Sequence, residues 1–418
     1  MTSRERVKKA LKHEMPDKVP LDLGATPTTG ITASSLINLR KALGLDEHPV
    51  KVHEPYQVLG TVEDDLLDAL GVDIVGINMR DTFFGYANEG WKPWRLSNGM
   101  EVLMGEGFTT TVDENGDTLI YPAGDITAQP SGKMPKGGFY FDLLVRQEPI
   151  DEDHLDPEEW VKQMFTEFSD EDLAYIENQA DHLYYNTERA IIGNFGQGGL
   201  GDIAMVPGPG VKEPKGIRSP VDWYMAPLLY PEYIKGIFEL QTEIALKNLE
   251  LYRQAVGDKI VAIFVSGTDF GSQKGPFISP TMYREMYKPF HKRINQWIHE
   301  NTGWKTFFHT CGSVVAYLDD FIDAEVDILN PVQTSASGMD PAFLKEKYGE
   351  KLVFWGGGID TQRVLPFSTP EEVKEQVKER IGIFKKDGGF VFNTIHNIQP
   401  MIPVENLVAL FEAVNDYR

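Results

Sequence analysis

The chain has 418 residues, of which 41% are apolar and 11% aromatic, enough to form a large buried core. Its 63 acidic and 40 basic side chains give a net charge of −23, which repels nucleic-acid phosphates and argues against nucleic acid as a partner. The only cysteine, Cys311, cannot form an internal disulfide, and no apolar segment has the length of a membrane span or a signal-peptide core, so we expect a cytoplasmic protein with no membrane partner.

Eight short apolar segments are predicted to be strands, because each is rich in Val, Ile or Phe and too short for a free-standing helix. They are residues 19–23, 72–77, 190–195, 259–266, 306–309, 326–330, 352–355 and 390–395. Longer segments with a helical pattern lie between or after them, at 232–256, 280–300, 369–385 and 404–415. The chain therefore alternates strands and helices over most of its length.

This alternation, with strands that are almost continuously apolar, predicts a parallel sheet covered on both faces. Eight strands are the number of a closed (β/α)8 TIM barrel, which we predict as one α/β domain over residues 1–418. An open doubly wound sheet is the alternative, but the Gly-rich turn typical of its first strand is missing. Asn98-Gly99 and Asn115-Gly116 are hairpin-turn signals, so a small antiparallel β-hairpin region is predicted as an insertion at about 90–125.

In a barrel of this kind the active face lies at the carboxyl ends of the strands. His309 and Cys311 stand two residues apart in FFHTCG, so an imidazole and a thiolate there can face one ion. His396 follows the last strand, in FNTIHNIQ, and adds a third candidate ligand. Three protein ligands with an open fourth position are typical of catalytic zinc, whereas structural zinc has four. The alternative for His309 and Cys311 is a capping histidine and a small buried cysteine.

Other polar residues at strand ends are candidates for proton handling or substrate binding. Asp269 follows the strand at 259–266, and its carboxylate suits orienting a ligand imidazole or accepting a proton, unless it only forms a turn or a helix cap. His396 is a candidate catalytic residue as well as a ligand. Asn194, Asn330 and Gln333 offer neutral polar groups to a substrate, and Gln333 is also a candidate for the fourth metal position.

The segments FWGGGIDTQ, STPEEVKEQVKERI and FVFNTIHNIQPMIPVENLVALFEAV carry a more specific signal. They resemble the uroporphyrinogen decarboxylase superfamily, in which a Gly-Asn-Leu-Asp-Pro loop and a helix precede an Asn-Leu-Gly-His-Gly strand end and a Pro-x-Glu-Asn segment. The resemblance extends over essentially the whole chain and implies a (β/α)8 barrel. The related decarboxylases are commonly dimers, which makes a homodimer a candidate assembly.

Two departures favour the methyltransferase branch of this superfamily. Where the decarboxylases have an Arg-Gln-Ala-Gly-Arg segment that holds substrate carboxylates, this chain reads LDLGATPTTGI, and only Arg80 or Asp81 falls near the position of their catalytic Asp. The cobamide-dependent methyltransferases have a zinc motif of His-x-Cys and a later Cys. His309 and Cys311 match its first two ligands, and His396 stands where the later Cys would lie. A neutral histidine in place of a thiolate makes zinc more Lewis-acidic, which suits an ether or an amine more than a thiol.

The resemblance therefore implies a zinc-dependent methyltransferase that moves a methyl group between a small methylated substrate, such as a methoxylated aromatic compound, and a corrinoid. Because the chain has no cobalamin-binding Asp-x-His-x-x-Gly segment, the corrinoid is expected on a separate partner protein. One alternative is a metal-free, decarboxylase-like lyase that uses Asp81 or Asp269 with His396 on a carboxylated or tetrapyrrole substrate. Another is a barrel that binds and delivers a corrinoid or tetrapyrrole without catalysis. The direction of methyl transfer stays open.

Overall fold

The computed structural model describes residues 1–418 and has an α/β fold. Its helices are α1 (Ser3–Leu11), α2 (Ala33–Ala42), α3 (Asp64–Leu70), α4 (Pro157–Lys162), α5 (Asp170–Asn186), α6 (Pro220–Leu229), α7 (Pro231–Val256), α8 (Pro280–Met286), α9 (Lys288–Asn301), α10 (Leu318–Asp323), α11 (Pro341–Tyr348), α12 (Val364–Phe367), α13 (Pro370–Phe384) and α14 (Val404–Tyr417). Its strands are β1 (Val50–Glu54), β2 (Leu59–Gly60), β3 (Ile74–Ile77), β4 (Lys92–Arg95), β5 (Glu101–Met104), β6 (Thr110–Val112), β7 (Thr118–Ile120), β8 (Gly132–Met134), β9 (Asp142–Leu143), β10 (Ala190–Asn194), β11 (Ala262–Ser266), β12 (Lys305–His309), β13 (Ile328–Asn330), β14 (Val353–Trp355) and β15 (Phe390–Val391). None of these helices combines the length and the apolar character needed to cross a membrane.

Seven strands form one curled parallel sheet in the order β3, β10, β11, β12, β13, β14, β15. They fall on seven of the eight predicted segments, and their side chains are almost all buried. The prediction of a parallel sheet from continuous apolar strands is therefore confirmed. The predicted helix at 280–300 is instead two helices, α8 and α9, which meet at Tyr287. Pro289 lies just after this break and has no N–H to continue the first helix.

The eighth predicted strand, at 19–23, is not a regular strand. Leu21 forms a single parallel bridge to Phe392, just beyond β15. Its carbonyl accepts a hydrogen bond of 2.8 Å from the N–H of Asp73, just before β3. No longer ladder forms, because Pro20 has no N–H and the N–H of Leu21 donates to the Asp73 carboxylate. The eight-stranded prediction is thus corrected to seven strands and a segment that hydrogen-bonds near both edges of the sheet.

Helix α1 covers the amino-terminal end of the curled sheet. Its Arg4 N–H donates to the carbonyl of Glu188, just before β10. Val7 and Leu11 join a small apolar core on the inner face of the sheet, which is separate from the larger core between the outer face and the other helices. The carboxyl ends of the strands are therefore the ends left for a functional site.

Two four-stranded sheets of short strands lie outside the parallel sheet. Asn98-Gly99 connects β4 to β5, and Asn115-Gly116 connects β6 to β7, both as antiparallel pairs. These pairs do not stand alone, because β5 also pairs with β1 and β7 also pairs with β8. The additional sheets consequently extend on both sides of the predicted insertion at about 90–125.

Asp22 is a carboxylate enclosed in the fold, only 1% exposed. It accepts hydrogen bonds from the indole N–H of Trp355 at 2.8 Å and from the N–H of Ala25 at 3.1 Å. Burial raises the pKa of Asp22 to about 6, although these hydrogen bonds act in the opposite direction. The folded state therefore binds a proton at Asp22 more tightly than the unfolded chain does.

We expect the Asp22→Asn variant to gain stability relative to the unmodified protein as the pH rises. Because the pKa of this carboxyl is about 4 in an unfolded chain and about 6 in the fold, Asp22 lowers the free energy of unfolding of the unmodified protein progressively between about pH 4 and about pH 6, by up to about 3 kcal/mol, and by a constant amount at higher pH. Urea denaturation of both proteins from about pH 4 to about pH 8 measures the difference. If the difference in unfolding free energy between the two proteins is independent of pH, the pKa of Asp22 is not raised in the fold.

Candidate metal centre

Side-chain alternation along β12 and β13 sets the positions of two polar residues. Phe307 in β12 lies in the inner core, so His309, two residues later, faces the same side at the carboxyl end of the strand. Ile328 in β13 also lies in the inner core, and Asn330 follows it in the same way. The register of the two strands pairs His309 with Asn330. An imidazole and an amide are thereby placed side by side.

Three candidate ligands converge at this end of the sheet. His309 ends β12, Cys311 follows it, and His396 lies in the segment after β15. Their ligand atoms all lie within 4.8 Å of one another. The Sγ of Cys311 is 3.4 Å from Nε2 of His309, and the two imidazole centroids are 5.5 Å apart. Tetrahedral zinc, with bonds of about 2.0–2.3 Å, needs ligand atoms roughly 3.3–3.8 Å apart, so the measured Sγ–Nε2 separation fits zinc.

The protonation states of these side chains suit a cation. Burial lowers the pKa of His309 to about 4, partly offset by its hydrogen bond to Asn330. Burial and the neighbouring His309 lower the pKa of His396 to about 4 as well. Burial and the Asp269 carboxylate raise the pKa of the Cys311 thiol well above its usual range. At neutral pH both imidazoles are therefore uncharged, as metal binding requires, and a thiolate needs a positive charge beside it.

Asp269 lies next to the three candidate ligands. Its Oδ1 accepts a hydrogen bond of 2.6 Å from the N–H of Cys311 and is 3.9 Å from Nε2 of His309. The Cys311 side chain is a further hydrogen-bond partner of this carboxylate, and about 35% of the Asp269 side chain is exposed. Burial raises the pKa of this carboxyl, while the Cys311 N–H and His396 act against the rise. Asp269 is thus placed both to hold the Cys311 segment and to exchange a proton.

The predicted substrate contacts have different surroundings. Asn330 is 0% exposed, and its amide bonds His309 and the carbonyl of Trp355 rather than facing open space. Asn194, also buried, donates to the carbonyl of Ala25 and to the side chain of Asn78. These contacts give both amides a role in the protein's own hydrogen-bond network.

Gln333 is nearer to the candidate ligands. Its Oε1 accepts from the N–H of Gly312 at 2.7 Å, and its Nε2 donates to Oε1 of Gln273 at 2.7 Å. The Gly312 N–H occupies one of the two acceptor sites of this oxygen, which leaves one for a metal. Asp81, the other carboxylate considered for a lyase, is 58% exposed and lies 4.0 Å from Arg80.

A cavity of about 230 Å³ opens beside Cys311 and His396. The other residues that line it are Gly271, Gln273, Gly312, Gln333, Thr361, Gln362 and Ile395. Neither Lys nor Arg is among them, so the cavity offers amides, a hydroxyl and the candidate ligands to a small molecule. Gln273 and Thr361 are not among the residues predicted from the sequence, because their only signal is their position after β11 and β14.

Asp202, in the loop after β10, is a second carboxylate that sequence reasoning missed. It accepts a hydrogen bond of 3.0 Å from the N–H of Ala204, and no basic side chain pairs with it. Burial and the nearby Asp269 raise the pKa of Asp202 to about 7. The only signal in the sequence is the glycine-rich run GNFGQGGLG that comes before it.

A family model described as Uroporphyrinogen decarboxylase (URO-D) matches residues 215–417, a range that contains His309, Cys311 and His396. This match covers just under half of the chain and makes residues 215–417 similar to the uroporphyrinogen decarboxylase family. Among curated proteins, 130 residues are 28% identical to uroporphyrinogen decarboxylase from Mannheimia succiniciproducens. This match covers 30% of the chain and 34% of that enzyme, so it spans about a third of the curated relative. The superfamily predicted from the C-terminal segments is therefore confirmed.

Among solved structures, a methyltransferase from Methanosarcina mazei has a similar fold, with a TM-score of 0.52 and 17% sequence identity. The superposition covers 100% of this chain and 99% of the methyltransferase. At this identity the similarity concerns the fold. The overall fold is thus shared, along the full length of the chain, with a methyltransferase of different sequence.

We expect the unmodified, untagged protein to bind about one zinc ion per chain, and the double variant His309→Ala, Cys311→Ala to bind none. The reason is that the double variant removes two of three converging ligands, and one imidazole alone does not hold zinc. Native mass spectrometry after zinc loading and desalting measures the ratio. His182→Ala, which removes an exposed histidine of α5, is the matched control and should keep its zinc. Zinc retained by the double variant would place the ion elsewhere.

Proposed function

We propose that this protein is a zinc-dependent methyltransferase that moves a methyl group between a small methylated substrate, such as a methoxylated aromatic compound, and the corrinoid of a separate protein. The observation that carries the proposal is the convergence of His309, Cys311 and His396 beside a cavity. These donors are of the types that zinc binds, the separation of 3.4 Å between Cys311 Sγ and His309 Nε2 suits it, and three protein ligands leave one position for a substrate atom. Bound there, zinc would supply Lewis acidity to the heteroatom that carries the methyl group.

The size and lining of the cavity support a small substrate. Its volume of about 230 Å³ is below the roughly 300–1,000 Å³ usual for drug-sized ligands, and a tetrapyrrole is larger still. A polycarboxylate would also need cations to hold it, and the lining contains no Lys or Arg. A neutral or cationic methylated compound is therefore favoured over a polyanion.

Asp269 is the group proposed to move the proton. When the methyl group leaves, the bond between methyl carbon and heteroatom breaks, and the heteroatom keeps the electron pair. It then needs a proton, which a partly exposed carboxyl with a raised pKa can deliver. Oδ1 of Asp269 meanwhile keeps its hydrogen bond to the N–H of Cys311, so the ligand segment stays in place.

The second candidate function is a decarboxylase-like lyase, which the match to the Mannheimia decarboxylase favours. In that reaction Asp269 and His396 would act without metal on a carboxylated substrate. The two candidates differ in product, since one releases carbon dioxide and the other a demethylated compound. They also differ in their need for zinc.

We expect the Asp269→Asn variant to keep its zinc but to transfer methyl groups about 100-fold more slowly, because amides do not donate a proton as a carboxylic acid does. The assay follows demethylation of methoxylated aromatic compounds by zinc-loaded protein with a reduced corrinoid protein. Zinc content is measured in parallel, and Asp202→Asn serves as a matched carboxylate variant with a smaller effect. Demethylation that is equally fast in Asp269→Asn would assign the proton to another donor. Carbon dioxide release by zinc-free protein would instead favour the lyase.

A further inference from the structure

Asn330 is a buried amide whose orientation is determined by its partners. Its side chain is 0% exposed, and its Nδ2 donates a hydrogen bond of 2.8 Å to the carbonyl of Trp355. A main-chain carbonyl can only accept, so the nitrogen of the amide must face Trp355. The oxygen of the amide consequently faces His309.

This oxygen in turn determines where His309 carries its hydrogen. Oδ1 of Asn330 lies 2.6 Å from Nδ1 of His309 and also accepts from the hydroxyl of Thr28 at 3.2 Å. Because an amide oxygen can only accept, Nδ1 of the neutral imidazole must donate. Nε2 then has a free lone pair, and this is the nitrogen that lies 3.4 Å from Sγ of Cys311.

We propose that Asn330 is a positioning residue, which selects the Nδ1–H form of His309 and thereby presents Nε2 to an ion shared with Cys311 and His396. The identity of that ion as zinc rests on the proposed function, whereas the choice of tautomer does not. Without an acceptor at Nδ1, either nitrogen can carry the hydrogen, and an imidazole with hydrogen on Nε2 cannot bind a metal through that nitrogen.

The position of Asn330 is itself fixed by the sheet. Its register partner is His309, on the neighbouring strand β12. On the other side, the amide is anchored to the main chain of β14 through Trp355 rather than to a mobile side chain. The indole of Trp355 is held by Asp22, through a hydrogen bond of 2.8 Å. The amide that orients His309 therefore has little freedom to turn.

The test uses two variants of the full-length chain and two measurements. In Asn330→Leu the acceptor is lost, whereas in Asn330→Asp a carboxylate oxygen can still accept from Nδ1. Nitrogen-15 NMR of the zinc-free protein, labelled at its histidines, reports which ring nitrogen of His309 carries hydrogen. Competition with a zinc chelator reports affinity. Asn406→Leu removes another buried amide, which bonds only the carbonyls of Leu365 and Ser368, and is the matched control for general loss of stability.

We expect the Nδ1–H form in the unmodified protein, in Asn330→Asp and in Asn406→Leu, and loss of that preference in Asn330→Leu. Zinc affinity should fall about 10- to 100-fold in Asn330→Leu and remain close to the original in the control. If Asn330→Leu does not fold, the NMR spectra of the unmodified protein and of Asn330→Asp test the proposal, because both should show hydrogen on Nδ1 of His309. An Nε2–H form in the unmodified protein, or unchanged tautomer and affinity in Asn330→Leu, would overturn the proposal. Failure of the unmodified protein to bind zinc would count against the proposed function. The NMR spectra of the zinc-free protein would still report the tautomer of His309 and test the role of Asn330.

Discussion

The hydrogen-bond register of the parallel sheet is the constraint on which the candidate metal centre depends. Side chains alternate along each strand, so a shift of one residue in β12 would turn His309 from the inner face to the helices outside. The observed register instead places His309 next to Asn330 and directs both toward the carboxyl end of the sheet. Cys311 and Asp269 then meet in the loops that follow two neighbouring strands, β12 and β11. The geometry of the centre is thus a consequence of main-chain pairing.

Removal of water is the second physical factor at this centre. It favours the uncharged form of each group, which explains why both histidines lose basicity while Cys311, Asp202 and Asp269 hold their protons more strongly. These groups cannot all be charged without a cation nearby, so one divalent ion would change the state of the whole cluster. Hydrogen bonds to Asn330 and to the Cys311 N–H offset part of the cost of enclosing the polar groups.

Much of the fold followed from the sequence because continuous apolar runs of four to eight residues leave few alternatives to buried parallel strands. The strand predicted at 19–23 is reduced to a single bridge. Its apolar pattern does not show that Pro20 and the Asp73 carboxylate interrupt the hydrogen-bond ladder. At the site, spacing within FFHTCG was informative because strand geometry relates residues two apart. The hydrogen bond between Asn330 and His309 does not follow from local sequence, because the two residues are 21 positions apart along the chain and only the sheet register pairs them. Asp202 lies in a loop whose course local sequence does not encode.

Coverage of the amino-terminal end by α1 has a consequence for the order of events at the centre. Val7 and Leu11 pack into the inner core, so apolar side chains fill that end of the sheet. In the proposed reaction, a small substrate and the large protein that carries the methyl acceptor would both approach from the carboxyl end, beside the cavity. In the proposed reaction the small molecule has to enter first, because the docked protein would cover its route. Excess partner protein would then inhibit the reaction in competition with the small substrate. This kinetic behaviour would follow from the coverage of the amino-terminal end of the sheet by α1.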